Sequence, residues 1–235
     1  MCTVLACLLV SVTNWTDPSA DEILVGLAGN SAIRHRAVYS GSRQYSLYNH
    51  RFDKSAAVKV RMTAQPSTGK NFTVVSRSGS SRMIDIIETL LDSETETSRP
   101  DRAAGHEIGP ANYHASLKGS ETIAGHDCWV LAVKPKHASK YLIDGTVWVD
   151  KRTRALVRLE GHTASRVSFW IGTPHIVEEF APVDGVWLPV HTVSKSQSAL
   201  LGESELDIRY TEYDVKSVTP VAATMVSQRK RPVRQ

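Results

Sequence analysis

The sequence predicts a mainly antiparallel β protein whose sheet is covered by two helices. Three observations carry that expectation. From Tyr113 onward, short apolar stretches recur at close intervals with turn residues between them. Most of these stretches alternate apolar and polar residues, the period of a strand with one dry face. Only two segments show helical spacing. The chain has 235 residues, 41% hydrophobic and 22% charged, which suits one globular domain and excludes a disordered or fibrous chain. A monomer is expected.

The elements follow in order. Ser19-Ala20-Asp21-Glu22 is a capping box, with Pro18 before it and Ile23, Leu24, Leu27 and Ala28 after it at helical spacing, so a first helix begins here. Gly26 and Gly29 each weaken that helix by about 1 kcal/mol relative to alanine, so packing must hold it. Residues 42–49, 57–62 and 72–75 suit a meander: Val58 and Val60 alternate with Lys59 and Arg61, and Gln65-Pro66-Ser67-Thr68-Gly69 forms a turn. Met83, Ile84, Ile87, Leu90 and Leu91 then share one face, opposite Asp85, Glu88 and Asp92, which predicts a second helix over about 81–95. Residues 94–110 are polar with Pro and Gly and read as a mobile linker. Strands are expected over 113–121, 128–135, 141–150, 155–161, 165–180, 186–194 and 204–213, and their short connections favour antiparallel neighbours.

Alternation places Trp129, Leu131 and Val133 on one face, with Val147 and Val149, Val157 and Leu159, Leu188 and Val190, and Leu206, Ile208 and Tyr210. Arg158, Glu160, Asp207 and Arg209 fall on the other. Two helices are a small cover for so large an apolar face. Either the stripe is a filled core, or an apolar cavity remains between sheet and helices, lined by these residues.

Residues 1–15 hold an apolar run, 3–12, expected to be a signal peptide truncated at its positive end, since no Lys or Arg precedes it. Val4-Leu5-Ala6-Cys7 resembles a lipoprotein processing site, but apolar residues continue past Cys7, which disfavours a lipid anchor. Cys128 is then the remaining cysteine of Cys2, Cys7 and Cys128, and its apolar neighbours make it a small buried hydrophobe. The domain is expected over 16–215. A basic tail, 216–235, carries Arg229, Lys230, Arg231 and Arg234 and reads as solvated and disordered, so the net charge of +4 names no nucleic-acid partner.

No catalytic constellation emerges. Arg77-Ser78-Gly79-Ser80-Ser81 lacks the spacing of a nucleophile elbow and reads as a turn into the second helix. His126, His137, His162, His175 and His191 show no metal-ligand spacing, and no phosphate-loop string occurs, so no metal or cofactor is expected. Glu178 and Glu179 point to opposite faces of their strand. Trp148 and Trp187 fall on the register opposite their apolar neighbours. Phe169 and Trp170 stand beside Gly172-Thr173-Pro174, where aromatic residues suit the mouth of a cavity.

Gly145-Thr146-Val147-Trp148-Val149-Asp150, Val157-Arg158-Leu159-Glu160-Gly161, Ser168-Phe169-Trp170 and Gly185-Val186-Trp187-Leu188-Pro189 resemble, in order and spacing, the outer-membrane lipoprotein-sorting proteins of the LolA/LolB-like superfamily. The resemblance spans residues 19–214 and points to the broad envelope branch of that superfamily. It implies an incomplete antiparallel β-barrel, a half-barrel, closed by helices over a hydrophobic cavity. It further implies a periplasmic carrier or chaperone for acyl chains of lipoproteins or lipids, without catalysis, or else an envelope sensor that binds a protein partner on the same fold. The carrier's internal arginine finds no assigned equivalent among Arg34, Arg36, Arg43 and Arg51.

Overall fold

The computed structural model describes residues 17–167, 172–198 and 202–220. Helix α1 (Ala20–His35) leads into β1 (Ala37–Asn49), β2 (Lys54–Gln65) and β3 (Gly69–Gly79). Helix α2 (Ser81–Thr97), the short α3 (Pro100–Ala103) and a 3-10 turn at Ala104–His106 follow. Seven further strands follow among the described residues: β4 (Tyr113–Ile123), β5 (His126–Pro135), β6 (Ile143–Asp150), β7 (Leu156–Thr163), β8 (His175–Val183), β9 (Val186–Ser198) and β10 (Gly202–Val218).

All ten strands form one sheet in the order β3-β2-β1-β10-β9-β8-β7-β6-β5-β4. Each neighbouring pair is antiparallel. β3 and β4 remain at its two edges, so among the described residues the barrel is not closed. The expected half-barrel covered by helices is the observed architecture.

The register fixes a single inner row across the sheet. Leu117 pairs with Leu131, Leu131 with Val147, Val147 with Leu159 and Leu159 with Glu178. Glu178 pairs with Thr192, Thr192 with Ile208, Ile208 with Tyr45 and Tyr45 with Val58. Directly paired residues project to the same face. The inner face is therefore apolar at both ends and polar in the middle, where Glu178 and Thr192 sit.

Close curvature needs room at one crossing. Gly145 pairs with Gly161, and a Cβ on Gly145 would lie 2.1 Å from the Glu160 carbonyl oxygen. Glycine is the residue that permits this approach.

Three packed clusters divide the inner face. Ile23, Leu24 and Leu27 of α1 bury themselves against Trp129, Leu131, Val147 and Leu159 on β5–β7. Met83, Ile87 and Leu91, one stripe of α2, pack on Tyr45, Leu47, Val58 and Val60 of β1 and β2. Tyr39, Met62 and Leu188 form a third cluster, with Ile33 of α1 against it. The capping box holds as read: Ser19 N–H donates to Glu22 Oε2 at 2.8 Å, and Glu22 N–H to Ser19 Oγ at 3.3 Å.

Three expectations change. Residues 94–110 are not a free linker: α2 runs on to Thr97, α3 and the 3-10 turn follow, and Asn112 Nδ2 donates to the carbonyls of Ala104 and Glu107 at 2.9 Å each. Of the strand expected over 165–180, residues 168–171 lie outside the described residues and β8 begins at His175, just after Gly172 with a φ of +75° and Pro174, which has no amide hydrogen to donate. Strand pairing continues past 215, where Val218 meets Ala37. The expected signal segment, and the tail beyond residue 220, lie outside the described residues.

Candidate functional site

Between α2 and the middle of the sheet lies a cavity of about 960 Å³. That volume is at the upper end of small-molecule sites. On α2, Ile86, Leu90, Ser93 and Thr97 form one wall, beside the stripe that docks on the sheet and overlapping it at Met83, which also borders the cavity. Helical geometry explains the division, because residues three and four apart share a face. Leu47, Ile176, Leu206 and Ile208 supply the apolar floor. Along β9, the cavity is bordered by Thr192, Ser194, Ser196 and Ser198, six residues from first to last or roughly 20 Å at strand rise.

The two ends differ. At the outer end stand Phe52, Lys54, Arg82 and Gly202, with Phe52 52% exposed. At the inner end stand Tyr45, Glu94, Glu178, Thr192 and Tyr210, and Tyr45 is 1% exposed. Lys140 and Tyr141 border the side facing α2, where the Tyr141 hydroxyl lies 3.4 Å from Ser93 Oγ. Lys54, Arg82 and Lys140 form no ion pair with a described carboxylate.

Arg43 anchors the inner end. It is 2% exposed, and its guanidinium binds Glu94 through both nitrogens, at 2.7 and 3.1 Å. Nη1 also donates to Tyr45 Oη at 3.1 Å, and the guanidinium lies over the rings of Tyr210 and Phe72 at 4.6 and 4.9 Å. Lys70 Nζ reaches Glu94 at 2.6 Å. Burial alone would raise the Glu94 carboxyl, but Arg43 and Lys70 outweigh it and hold that group well below the ordinary carboxylate range. Burial also works against the Arg43 charge, and Glu94 together with Tyr210 and Tyr45 more than offsets it. Burial pushes Tyr45 up to about 12 and Tyr210 well above its ordinary value. Glu178 is raised by burial too, and its partner is neutral: Thr192 Oγ1 donates to Glu178 Oε1 at 3.3 Å.

The expected cavity lining separates into two groups. Leu206, Ile208 and Tyr210 border the cavity. Trp129, Leu131, Val133, Val147, Val149, Val157 and Leu159 face inward as expected but are packed into the cluster under α1, and Leu188 into the third cluster. For these eight the filled-core alternative is the observed one: α1 packs over the seven on β5–β7, and its Ile33 packs against the cluster that holds Leu188. Phe169 and Trp170 lie outside the described residues, while Val167 and Pro174 on either side of them border the cavity.

Sequence reasoning missed Arg43, Glu94, Glu178 and the hydroxyls of β9. Arg43 shares the parity of Tyr45 and Leu47, so alternation alone puts a guanidinium on the apolar face. The Glu178–Glu179 expectation holds: Glu178 faces the cavity, and Glu179 meets Arg158 and His191 on the outer face. Among the described residues no cluster of His, Cys, Asp and Glu could hold a metal. Cys128 is fully buried, and burial raises its thiol to about 11.

With the geometry in place, comparison with known proteins places part of the chain. Residues 61–167 match the family model of the MucB/RseB N-terminal domain. That domain has the LolA-like fold. The matched stretch runs from the end of β2 through α2 to β7, so it contains the cavity's helical wall and leaves β9 and β10 outside it. No curated protein gives a match. Similar solved structures include a LolA superfamily protein from Nitrosomonas europaea, at 10% identity and TM-score 0.48, covering 86% of this chain and 96% of that one. A domain described as an outer membrane lipoprotein-sorting protein, from Vibrio parahaemolyticus, is 11% identical at TM-score 0.41, covering 77% and 86%. The MucA/MucB complex of Pseudomonas aeruginosa gives 11% identity and TM-score 0.27, covering 81% and 98%. Among the described residues no helix is long and apolar enough to cross a membrane.

Proposed function

We propose that this protein is a periplasmic carrier or chaperone that shelters acyl chains of lipoproteins or lipids in the cavity beside α2. The observation that carries the reading is the cavity itself: a space of about 960 Å³, with an apolar floor of Leu47, Ile176, Leu206 and Ile208 and an apolar wall of Ile86 and Leu90. Burial of chain methylenes there is worth about 0.8 kcal/mol each and needs no cofactor and no bond chemistry. Release requires modest affinity and a wall that yields. α2 is that wall, because it is tied to the inner end chiefly through Glu94 and docks by a single stripe.

Native mass spectrometry with lipid extraction, on mature protein purified from an envelope without detergent, tests this. Co-purifying phospholipid, fatty acid or acylated peptide is the expected result. Protein that is empty and also fails to gain thermal stability with added acyl chains overturns it, since a ligand bound to the native state must raise the melting temperature.

A second reading has its own support. The MucB/RseB match favours an envelope regulator that binds a protein partner on the same fold. Recovery of a stable protein partner from lipid-free material distinguishes it from the carrier.

A further inference from the structure

We propose that the inner end of the cavity is a binding subsite for a hydrogen-bond donor, a hydroxyl or an amine, carried at the inserted end of an acyl-chain ligand, with the Glu178 carboxylate as its acceptor. The inference rests on the cavity being a ligand site, and it adds that the ligand is polar at both ends.

Glu178 is out of place for a plain tail-binding cavity. It stands in the inner row between Leu159 and, beyond Thr192, Ile208, and it borders the cavity. A carboxyl in such surroundings is costly unless it is paired or well bonded. Its surroundings supply little. Among the described residues Thr192 alone donates to it, and the Tyr210 hydroxyl, 3.1 Å from Thr192 Oγ1, is engaged one step further back.

The nearby cations are committed elsewhere. Arg43 and Lys70 are bound to Glu94, and Arg34 faces Glu107, which also holds His35. Glu178 thus keeps acceptor capacity directed at the cavity with no internal cation to use it. Leucine at this position would suit a bare methyl terminus better.

The outer end complements this. Lys54 and Arg82 border the opening there without a carboxylate partner among the described residues, so an anionic head group is held outside while the chain reaches inward over roughly 20 Å of strand. A ligand with an acid at one end and a donor at the other satisfies both ends.

Displacement of a bound apolar fluorophore by hexadecanoic acid and by its ω-hydroxy derivative, at neutral pH, tests the proposal. An ordinary apolar cavity disfavours the hydroxyl. Here the ω-hydroxy acid is expected to bind several-fold more tightly, a factor on the order of ten being the worth of one bond to a charged acceptor. Glu178→Leu is expected to reverse the order, and Glu179→Leu to leave the preference in place, because Glu179 meets Arg158 and His191 on the outer face of the sheet.

Tighter binding of the plain acid by the native protein overturns the subsite and leaves the carrier intact. So does a hydroxyl preference that survives Glu178→Leu. Displacement by neither acid overturns the cavity reading and the subsite together. Thermal melts of both variants establish that they fold; if Glu178→Leu does not, the order of the two acids on the native protein still decides, and loss of the preference in Glu179→Leu overturns the assignment.

Discussion

Arg43 and Glu94 make the inner end of the cavity a matter of charge balance. Removing one partner of a buried pair leaves the other uncompensated. Glu94→Gln is therefore expected to lower stability by about 3 kcal/mol in urea unfolding. Lys70→Met is expected to lose about 1 kcal/mol or less, because Lys70 lies nearer solvent and such pairs are weak. Equal losses would mean that Arg43 is solvated. The two cavity carboxyls should also respond to pH in opposite senses. Glu94 is held low, so its contribution is present above the ordinary carboxylate range and fades as pH falls; the cost of Glu94→Gln shrinks in acid. Glu178 is held high, so its contribution is full below the ordinary range and is lost as pH rises through its raised value. Glu178→Leu should therefore gain stability relative to the native protein between about pH 4 and about pH 7. Paired denaturation curves at the two pH values check both signs.

At the scale of the elements, backbone spacing and cover decide the outcome. Gly161→Ala would put a Cβ 2.4 Å from the Asp144 carbonyl oxygen, and β6 and β7 must part to admit it, at a cost of about 2 kcal/mol or more. Gly29→Ala on exposed α1 meets nothing within 4 Å and should instead stabilise by about 0.5–1 kcal/mol. Melting temperatures that move the same way in both variants would contradict the close crossing. Sheet register was legible because alternation assigns faces. Leu131→Asp is accordingly expected to abolish folding, and Arg158→Asp, on the outer face beside Glu160 and Glu179, to leave the fold in place when read by circular dichroism. Cover was not legible. Trp129, Leu131 and Val147 carry the same apolar pattern as Leu206 and Ile208, yet α1 presses Ile23, Leu24 and Leu27 onto the first group, while the second is only partly covered at the edge of the α2 cluster and borders the cavity. Nothing in a strand's own period says how far above it a helix will lie. The search for an apolar stripe also hid Glu178, Thr192 and the serines of β9, whose role depends on where neighbouring strands set them.

For the whole molecule, the pairing order matters more than any single contact. β1 pairs with β10, so the seam in the sheet joins the first strand to the last: Ser42 donates to Glu212, 170 residues away. Thr219 N–H donates to the Arg36 carbonyl at 2.9 Å, closing the same seam at its far end. A chain cut at residue 201 lacks β10 and leaves β1 and β9 each with one unpaired edge; it is expected to show no cooperative thermal transition. The remaining strands are mostly hairpins between neighbours in sequence, which form early because little chain must be closed. Only the seam demands a closure of nearly the full length, and such non-local pairing is slow. Assembly of the sheet therefore waits on β10. Until it is in place, the three strands before α2 and the six from β4 to β9 share no strand pairing, and β1 and β9 each present an open edge to any other extended chain.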